Sequence, residues 1–299
     1  AAPADPGWLQ LRLEDGDDLP LDDALARWVN PASATTAWVV TSARADDPQQ
    51  AVFYLVRALS PQSDSEPQPV RVQVLSPAAV TQALRNNHAL PALVIVAAAG
   101  AWPPEALAAV RDYVEDGGAL WWIMDSPESV AALEAAGLAP LRAGPQARFG
   151  RPADPLRWAT ARWEDDLLRV FEGSVRGALV RQRFALGWTG LELAPGARGL
   201  FWSQQEEPLA AVMPVGAGRV AAWGLALAPA ESSLVKEVVF APLVHEHLRQ
   251  LGSGAGPRQA RILAGQPIHL TIPGWEVAPV DAWQAQPTDV RLVSAQPDM

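Results

Sequence analysis

The sequence predicts an α/β fold in which a parallel sheet is flanked by helices, with partial β elements at both ends. Between residues 35 and 124, short apolar runs of strand length alternate with amphipathic helical segments. Strands that are covered on both faces read as unbroken apolar runs, and successive strand-helix-strand units imply right-handed crossovers. The apolar fraction of 49% in a chain of 299 residues is enough for a large core.

The first half of the sheet is predicted from four apolar segments. These strands are Ala37 to Thr41, Val70 to Leu75, Leu93 to Ala97 and Ala119 to Met124. Helices are expected from Pro48 to Leu59, from Pro77 to Arg85 with Ser76 as N-cap, and from Pro103 and Pro104 to a stop at Gly117 and Gly118. Proline in the first helical turn and glycine after the last turn are usual start and stop signals.

After Gly137 the periodic order weakens through a stretch rich in Pro, Gly and Arg to about Pro155, and a more β-like section follows. The expected strands are Leu179 to Leu186, Leu200 to Ser203, Leu209 to Pro214 and Arg219 to Leu227. The last two are joined as a hairpin across Val215 to Gly218. A helix is expected from Pro242 to Leu251, ended by Gly252. The α/β domain is therefore predicted to span residues 34–252.

The two ends of the chain have the pattern of small β elements. Apolar and polar residues alternate from Trp8 to Leu13, and an acidic turn and a second segment, Leu19 to Val29, follow. This pattern predicts one or two strands within residues 1–33. Gly252 to Pro257 is a predicted linker. Ile262 to Ile272 and Asp289 to Val293 are predicted strands of a C-terminal β element, residues 257–299.

Charge and cysteine content exclude several classes of function. Acidic residues number 33 against 23 basic ones, and the net charge of −10 repels nucleic-acid phosphates and anionic lipid heads. The absence of cysteine excludes disulfides, thiolate metal sites and a cysteine nucleophile. The longest apolar run, Pro91 to Ala101, is strand-sized. We therefore expect a soluble chain, attached to a membrane only through segments outside it, and the start at Ala1 suggests a mature product or a fragment.

Four segments carry a resemblance to a known family. They are Leu93 to Ala97, PPEALAAVRDYVEDGGALWWI at 103–123, PLAAVMPVGAGRVAAWGLAL at 208–227 and FAPLVHEHLRQL at 240–251. In this order they resemble bacterial aerotolerance-regulator (BatA-like) proteins, which are membrane-anchored chains in which a von Willebrand A domain precedes a glutamine amidotransferase-like domain. The resemblance covers residues 36–252, and its motifs are structural and moderately specific.

The resemblance implies a class I glutamine amidotransferase-like, flavodoxin-like fold for residues 34–252. Residues 1–33 would be a fragment of an immunoglobulin-like β element, and residues 257–299 a C-terminal β element. It also implies an extracytoplasmic place in the cell envelope, and protein subunits of an envelope complex as partners, including a von Willebrand A domain in the same full-length chain. Combined with the missing nucleophile, it leads us to expect a non-catalytic binding or scaffold module that mediates protein-protein assembly and needs no cofactor.

An active amidotransferase of this fold places a cysteine on a tight, glycine-flanked turn between a strand and a helix. Here the fourth strand is followed by Met124, Asp125, Ser126 and Pro127, and no glycine flanks the serine. Ser126 or Asp125 is therefore predicted to cap the next helix. The alternative that stays open is a hydrolase of unknown substrate that uses Ser126 with Asp125 and a distant histidine.

The histidines do not have metal-site spacing. His245 and His247 point about 200° apart on a helix, whereas a zinc helix needs residues four apart on one face. A structural or surface role is predicted for both, and equally for His88 and His269. Glu246, between the first two, is predicted to face solvent.

The acidic clusters and the tryptophans also have patterns typical of structural or contact roles. The cluster Asp15, Asp17, Asp18, Asp22 and Asp23 lacks EF-hand spacing and is predicted to be a solvated turn. Glu164, Asp165 and Asp166 are adjacent and should diverge, which disfavours paired-carboxylate glycoside chemistry. Most of the 13 tryptophans are expected in the core, while Trp102 and Trp188, as loop residues, are the interface candidates.

Overall fold

The computed structural model describes residues 7–12, 24–29, 35–61, 70–86 and 90–252, the first two ranges by their backbone pairing alone. The chain divides into two compact units, Ala1–Arg258 and Gln259–Met299. The predicted linker and C-terminal β element lie outside the described residues. None of the helices in the described ranges combines the length and the hydropathy needed to cross a membrane.

Strand β1 (Gly7–Arg12) pairs antiparallel with β2 (Ala24–Val29) in a separate two-stranded sheet. The alternating pattern near the N-terminus therefore does form strands. That these strands belong to an immunoglobulin-like element stays a prediction.

The first half of the α/β body follows the predicted order closely. It consists of β3 (Thr35–Val40), α1 (Ala51–Leu59), β4 (Val70–Leu75), α2 (Pro77–Asn86), β5 (Leu93–Val96), α3 (Pro104–Glu115), β6 (Ala119–Ile123) and α4 (Pro127–Ala135). Helices α2, α3 and α4 each have a proline in the first turn, where a missing N–H costs no intrahelical hydrogen bond.

The second half is richer in strands. It consists of β7 (Leu141–Gly150), β8 (Thr160–Ala161), α5 (Gly173–Val180), β9 (Gly187–Leu193), β10 (Arg198–Trp202), β11 (Pro208–Val215), β12 (Gly218–Trp223), a short 3₁₀ helix (Leu234–Lys236) and α6 (Phe240–Gly252). The predicted hairpin is present as β11 and β12, and Gly216 in its turn has a φ of 55°, which glycine adopts without strain.

The main sheet has eight strands in the order β4-β3-β5-β6-β12-β11-β10-β8. From β4 to β12 every neighbouring pair is parallel, and from β12 to β8 every pair is antiparallel. Strands β7 and β9 pair antiparallel in a second, smaller sheet. The predicted parallel sheet flanked by helices is confirmed, and the antiparallel strands β11, β10 and β8 extend it on one side.

Two apolar layers cover the faces of the main sheet. Trp121 of β6 lies in one layer with residues of α1 and α6, whereas Trp122 lies in the other with residues of α2, α3 and α4. The β7-β9 pair contributes Leu141, Trp188 and Leu191 to this second layer. Adjacent residues of a strand point to opposite faces, so β6 supplies a large aromatic ring to each layer.

Two predictions for the second half are wrong. The segment Leu179 to Leu186 is not a strand, because its apolar start completes helix α5 and the chain then turns before β9 begins at Gly187. The stretch between Gly137 and Pro155 contains the ten-residue strand β7, which the sequence did not indicate. Strand β7 is held by pairing with β9, some 40 residues later, rather than by its own apolar pattern.

Candidate functional site

Open α/β sheets bind ligands beyond the carboxyl ends of their strands, in the crevice where the order of connections reverses. In this sheet the reversal lies between β3 and β5, because the chain leaves β3 for β4 on one side and then returns across it to β5. The residues that follow these two strands, together with those that follow β6, are the candidate functional site.

Hydrogen bonds join the two sides of this crevice. The Ser42 backbone N–H donates to the carbonyl oxygen of Ala98 over 2.9 Å, and the Ser42 hydroxyl donates to the carbonyl of Ala99. The Thr41 hydroxyl donates to the same Ala98 carbonyl over 3.4 Å. The polar groups after β3 therefore bond to the backbone after β5 instead of facing into an open crevice.

A carboxylate and a strained residue meet at the same edge. Asp125 follows β6, and its Oδ2 accepts the Ala98 backbone N–H at 2.6 Å, while Ala98 has a φ of 48°, in the left-handed region that alanine disfavours. Burial raises the pKa of Asp125 to about 6, although the Ala98 hydrogen bond opposes the rise. Strained backbone and shifted carboxyl pKa values concentrate at functional sites, so this contact is the most site-like feature of the edge.

Ser126 is a helix cap, as predicted. Its Oγ accepts the backbone N–H of Ser129 at 3.1 Å at the start of α4. Ser129 in turn accepts the Trp122 Nε1–H at 2.7 Å and donates to the Ile123 carbonyl at 3.1 Å. The strand-to-helix turn is therefore fixed by hydrogen bonds of structural type.

The two described histidines, His245 and His247, lie on helix α6, and neither is hydrogen-bonded to Ser126. His247 is fully buried and stacks on Trp121 with ring centroids 4.4 Å apart, in the layer opposite to that of Trp122 and Ser129. Its Nδ1 bonds to the Leu243 carbonyl at 2.9 Å, and burial lowers its pKa to about 4, so the ring is neutral at pH 7. His245 is half-buried on the same helix, while His88 and His269 lie outside the described residues. The structure does not bring Ser126 together with either described histidine.

The prediction that Glu246 faces solvent is wrong. Glu246 is 7% exposed, and its carboxylate accepts hydrogen bonds from Arg249 Nε and Gln250 Nε2, each at 2.9 Å. Burial alone would raise the pKa of Glu246, but the bonds from Arg249 and Gln250 outweigh it and hold the pKa below its usual range. The glutamate is buried because its partners lie one turn further along the same helix and bring their donors to it.

The carboxylates at 164–166 diverge, as expected for adjacent residues. Glu164 pairs with Arg162 at 3.7 Å, Asp165 with Arg198 at 2.6 Å, and Asp166 with Arg169 at 3.4 Å. Within the described ranges, no three side chains of the metal-ligating types come together. The acidic cluster between Asp15 and Asp23 lies outside those ranges.

The two tryptophans proposed as contact residues have different surroundings. Trp102 lies half-buried in the segment between β5 and α3, with its ring 4.9 Å from that of Trp122. The prediction that Trp188 lies in a loop is wrong, because it is part of β9, is 6% exposed, and donates its Nε1–H to the Met124 carbonyl at 2.9 Å. An interface role stays a prediction for both, and Trp102 has the more accessible ring.

The contact between Asp125 and Ala98 is the feature of the edge that sequence reasoning missed. The sequence predicts Asp125 as a helix cap or a hydrolase residue, and no local pattern indicates that it accepts the N–H of Ala98, which follows the neighbouring strand β5. Alanine at 98 gives no sign of a left-handed backbone, because that conformation is associated with glycine or asparagine. A short polar residue after a central strand is the only available signal.

The strand order is that of an amidotransferase-like α/β fold, with a mostly parallel sheet between helical layers. Among solved structures, the chain is similar to the cytoplasmic protein STM3548 from Salmonella typhimurium, with a TM-score of 0.50, 11% identity, and coverage of 73% of this chain and 98% of that one. It is also similar to a putative ThuA-like protein from Parabacteroides merdae, with a TM-score of 0.50, 13% identity, and coverage of 74% and 90%. No family model and no curated protein sequence matches the chain. At these identities the similarity establishes the fold alone.

Proposed function

We propose that this chain is a non-catalytic binding or scaffold module that mediates protein-protein assembly in the bacterial cell envelope. The observation that carries the proposal is the closed edge of the parallel sheet. The hydroxyls of Thr41, Ser42 and Ser126 all bond to backbone groups, and the chain contains no cysteine. A fold that usually offers a reactive side chain at this edge has its polar groups bonded internally instead.

The envelope part of the proposal rests on the resemblance to BatA-like proteins. Its motifs fall on β5, on α3 with β6, on the β11-β12 hairpin and on α6, which are the elements of the α/β body. On this basis the partners are protein subunits of an envelope complex, with a von Willebrand A domain in the same full-length chain. Membrane attachment would then come from segments outside the sequence considered.

The catalytic alternative is tested with the purified chain. We expect no turnover of p-nitrophenyl acetate or of glutamine p-nitroanilide above the buffer rate, because no described histidine contacts Ser126 to activate it. The Ser126→Ala variant should give the same background rate as the wild type. Turnover that disappears in Ser126→Ala would show that the chain is a hydrolase and would refute the non-catalytic role.

The assembly role is tested by capture. The folded chain, immobilised through its C-terminus, is incubated with solubilised envelope extract of the source bacterium, and the retained proteins are identified by mass spectrometry. We expect defined envelope subunits at reproducible stoichiometry, absent from the same matrix carrying heat-unfolded chain. Retention of the same proteins on both matrices would contradict a specific scaffold role.

A further inference from the structure

A continuous groove runs along helix α5 and the 3₁₀ helix to the start of α6. It consists of three adjoining cavities of about 430, 260 and 490 Å³. Glu237 lines all three, Ala178 lines the first two, and Arg183 and Ser233 line the last two. We call this surface the α5 groove.

One end of the α5 groove is apolar and open to solvent. Val238 is 92% exposed, Val170 53% and Val175 39%, and all three line the first cavity together with Phe171 and Val239. These valines account for half of the large exposed apolar side chains in the described part of the chain, whose other members are Val74, Leu90 and Leu193. Apolar side chains gathered in a concave surface mark a contact site more often than scattered ones do.

The other end of the groove carries three basic side chains beside Glu231 and Glu237. Arg181 and Arg183 line the second cavity, and Arg183 and Lys236 line the third. All three side chains are exposed, and none of them pairs with a carboxylate of the described residues. The third cavity also contains Glu231, which is bonded to Arg151 at 2.6 Å. Arg181, Arg183 and Lys236 therefore keep their positive charge available to an anionic group of a partner.

Hydrogen bonds hold the walls of the groove together. The Ser233 hydroxyl donates to Gln182 Oε1 at 2.7 Å and accepts the Arg183 backbone N–H at 3.1 Å. Gln182 donates from Nε2 to the Ala178 carbonyl at 2.6 Å. Because these bonds tie α5 to the segment before the 3₁₀ helix, the groove exists before any partner arrives, which lowers the cost of binding.

We propose that the α5 groove binds a peptide segment of a partner protein in which a group of apolar residues adjoins a group of acidic ones. The proposal rests on the scaffold function and names the surface and the partner chemistry. The apolar residues pack against Val170, Val175 and Val238, and the acidic residues pair with Arg181, Arg183 and Lys236. Glu237 lies between the two ends and accepts N–H groups of the peptide backbone.

The charge pattern favours a peptide over a lipid surface. The Glu237 carboxylate lines all three cavities and can accept the backbone N–H groups of a peptide, which are donors that a lipid phosphate does not have. An acidic peptide is attracted locally by the three basic side chains at short range, where screening by salt is weakest.

The test measures binding of a fluorescein-labelled Leu-Leu-Ser-Glu-Asp-Glu-Asp peptide to the full chain by fluorescence anisotropy at low salt. The double variant Arg181→Glu with Arg183→Glu should weaken binding by about tenfold. The matched control, Arg142→Glu with Arg148→Glu, makes the same charge change on exposed arginines of β7 and should alter binding by less than about twofold.

The apolar end is tested with Val238→Ser, which should weaken binding by about threefold, against Leu193→Ser as a control without effect. A peptide with lysines in place of its acidic residues should not bind. Thermal unfolding of each variant verifies that the fold is kept.

Equal weakening by both double variants would show unspecific attraction and overturn the proposal, as would no weakening by either. The proposal is also overturned if the peptide fails to bind while the chain binds vesicles of phosphatidylcholine and phosphatidylglycerol and loses that binding with Arg181→Glu and Arg183→Glu. That result would assign the groove to lipid. If the groove variant still captures envelope subunits, the scaffold function stands and the groove is not its binding surface. Turnover that depends on Ser126 would instead refute the scaffold function itself.

Discussion

Replacing Asp125 with asparagine is expected to stabilise the fold at neutral pH. Burial raises the pKa of Asp125 from 3.8 to about 6, so its ionised form is less favourable in the folded chain than in the unfolded one. At about 1.4 kcal/mol per pKa unit, the ionised carboxylate lowers the free energy of unfolding at pH 7.5 by about 3 kcal/mol. Asparagine is neutral and can still accept the Ala98 N–H through its Oδ1, so it removes most of this loss.

The pH dependence has a definite sign. Because the folded-state pKa is raised, the stability from the protonated carboxyl is complete below pH 3.8 and is lost as pH rises through 6. The advantage of Asp125→Asn should therefore fall from about 3 kcal/mol at pH 7.5 to about 1 kcal/mol at pH 4.5. Other titrating groups are common to both proteins and cancel in the difference.

Urea unfolding followed by tryptophan fluorescence at these two pH values measures the effect. Asp154→Asn, at an exposed aspartate, is the control and should change the unfolding free energy by less than about 0.5 kcal/mol. An Asp125→Asn variant that is less stable than wild type at pH 7.5, or whose advantage does not shrink on acidification, would refute the reasoning.

Three further changes test other parts of the structure. Burial holds the pKa of His247 at about 4 in the folded chain, so the fold is most stable above pH 6.5, where the ring is neutral, and loses stability as the pH falls. The His247→Phe variant has no ring to protonate and should lose about 2 kcal/mol less unfolding free energy than the wild type between pH 7 and pH 5, measured by urea unfolding. Ser126→Ala should lower the unfolding free energy by about 1 kcal/mol through loss of the α4 cap, seen as a lower Tm, and an unchanged Tm would contradict the cap. Gly218→Ala places a Cβ against the carbonyl oxygens of Val114 and Gly118 and should cost about 3 kcal/mol or more, whereas Gly150→Ala meets open space and should be nearly neutral in the same urea assay.

The first half of the fold could be predicted because its strands are buried on both faces. Such strands must be apolar along their whole length, and the helices between them carry proline and glycine signals at their ends. The strand Val70–Leu75 and the helix start at Pro77 were located at their observed positions. In this part of the chain, local sequence and tertiary environment require the same structure.

The second half was less predictable because its strands depend on partners. Strand β7 buries only Leu141 and contains a proline and two glycines, so its own composition does not indicate a strand. It is held in the strand conformation by pairing with β9. Leu179 and Val180 resemble the start of a strand, yet they complete α5, since Leu179 is needed in the apolar core beneath that helix. A periodic pattern cannot decide between these outcomes when the apolar run is short.

The candidate site was predictable only in its helix cap. Serine followed by proline before a helical segment identifies Ser126 as the cap without knowledge of the fold. The spacing of Glu246 to Arg249 and Gln250 predicts contacts along α6 but not the burial of the carboxylate, and the contact of Asp125 with Ala98 depends on a neighbouring strand that spacing does not identify. The α5 groove likewise joins residues of α5 to residues of the 3₁₀ helix and the start of α6, which lie well beyond α5 in the sequence.

The parallel pairing of β6 with β12 has a consequence for biosynthesis. Ala119 pairs with Arg219, so one edge of the central strand β6 stays unpaired until the ribosome has added a hundred more residues. Until β12 has emerged, a nascent chain carries an unpaired edge next to two large aromatic rings, which is a surface that chaperones recognise. Cotranslational folding of the sheet can therefore be completed only near the end of translation of the α/β body.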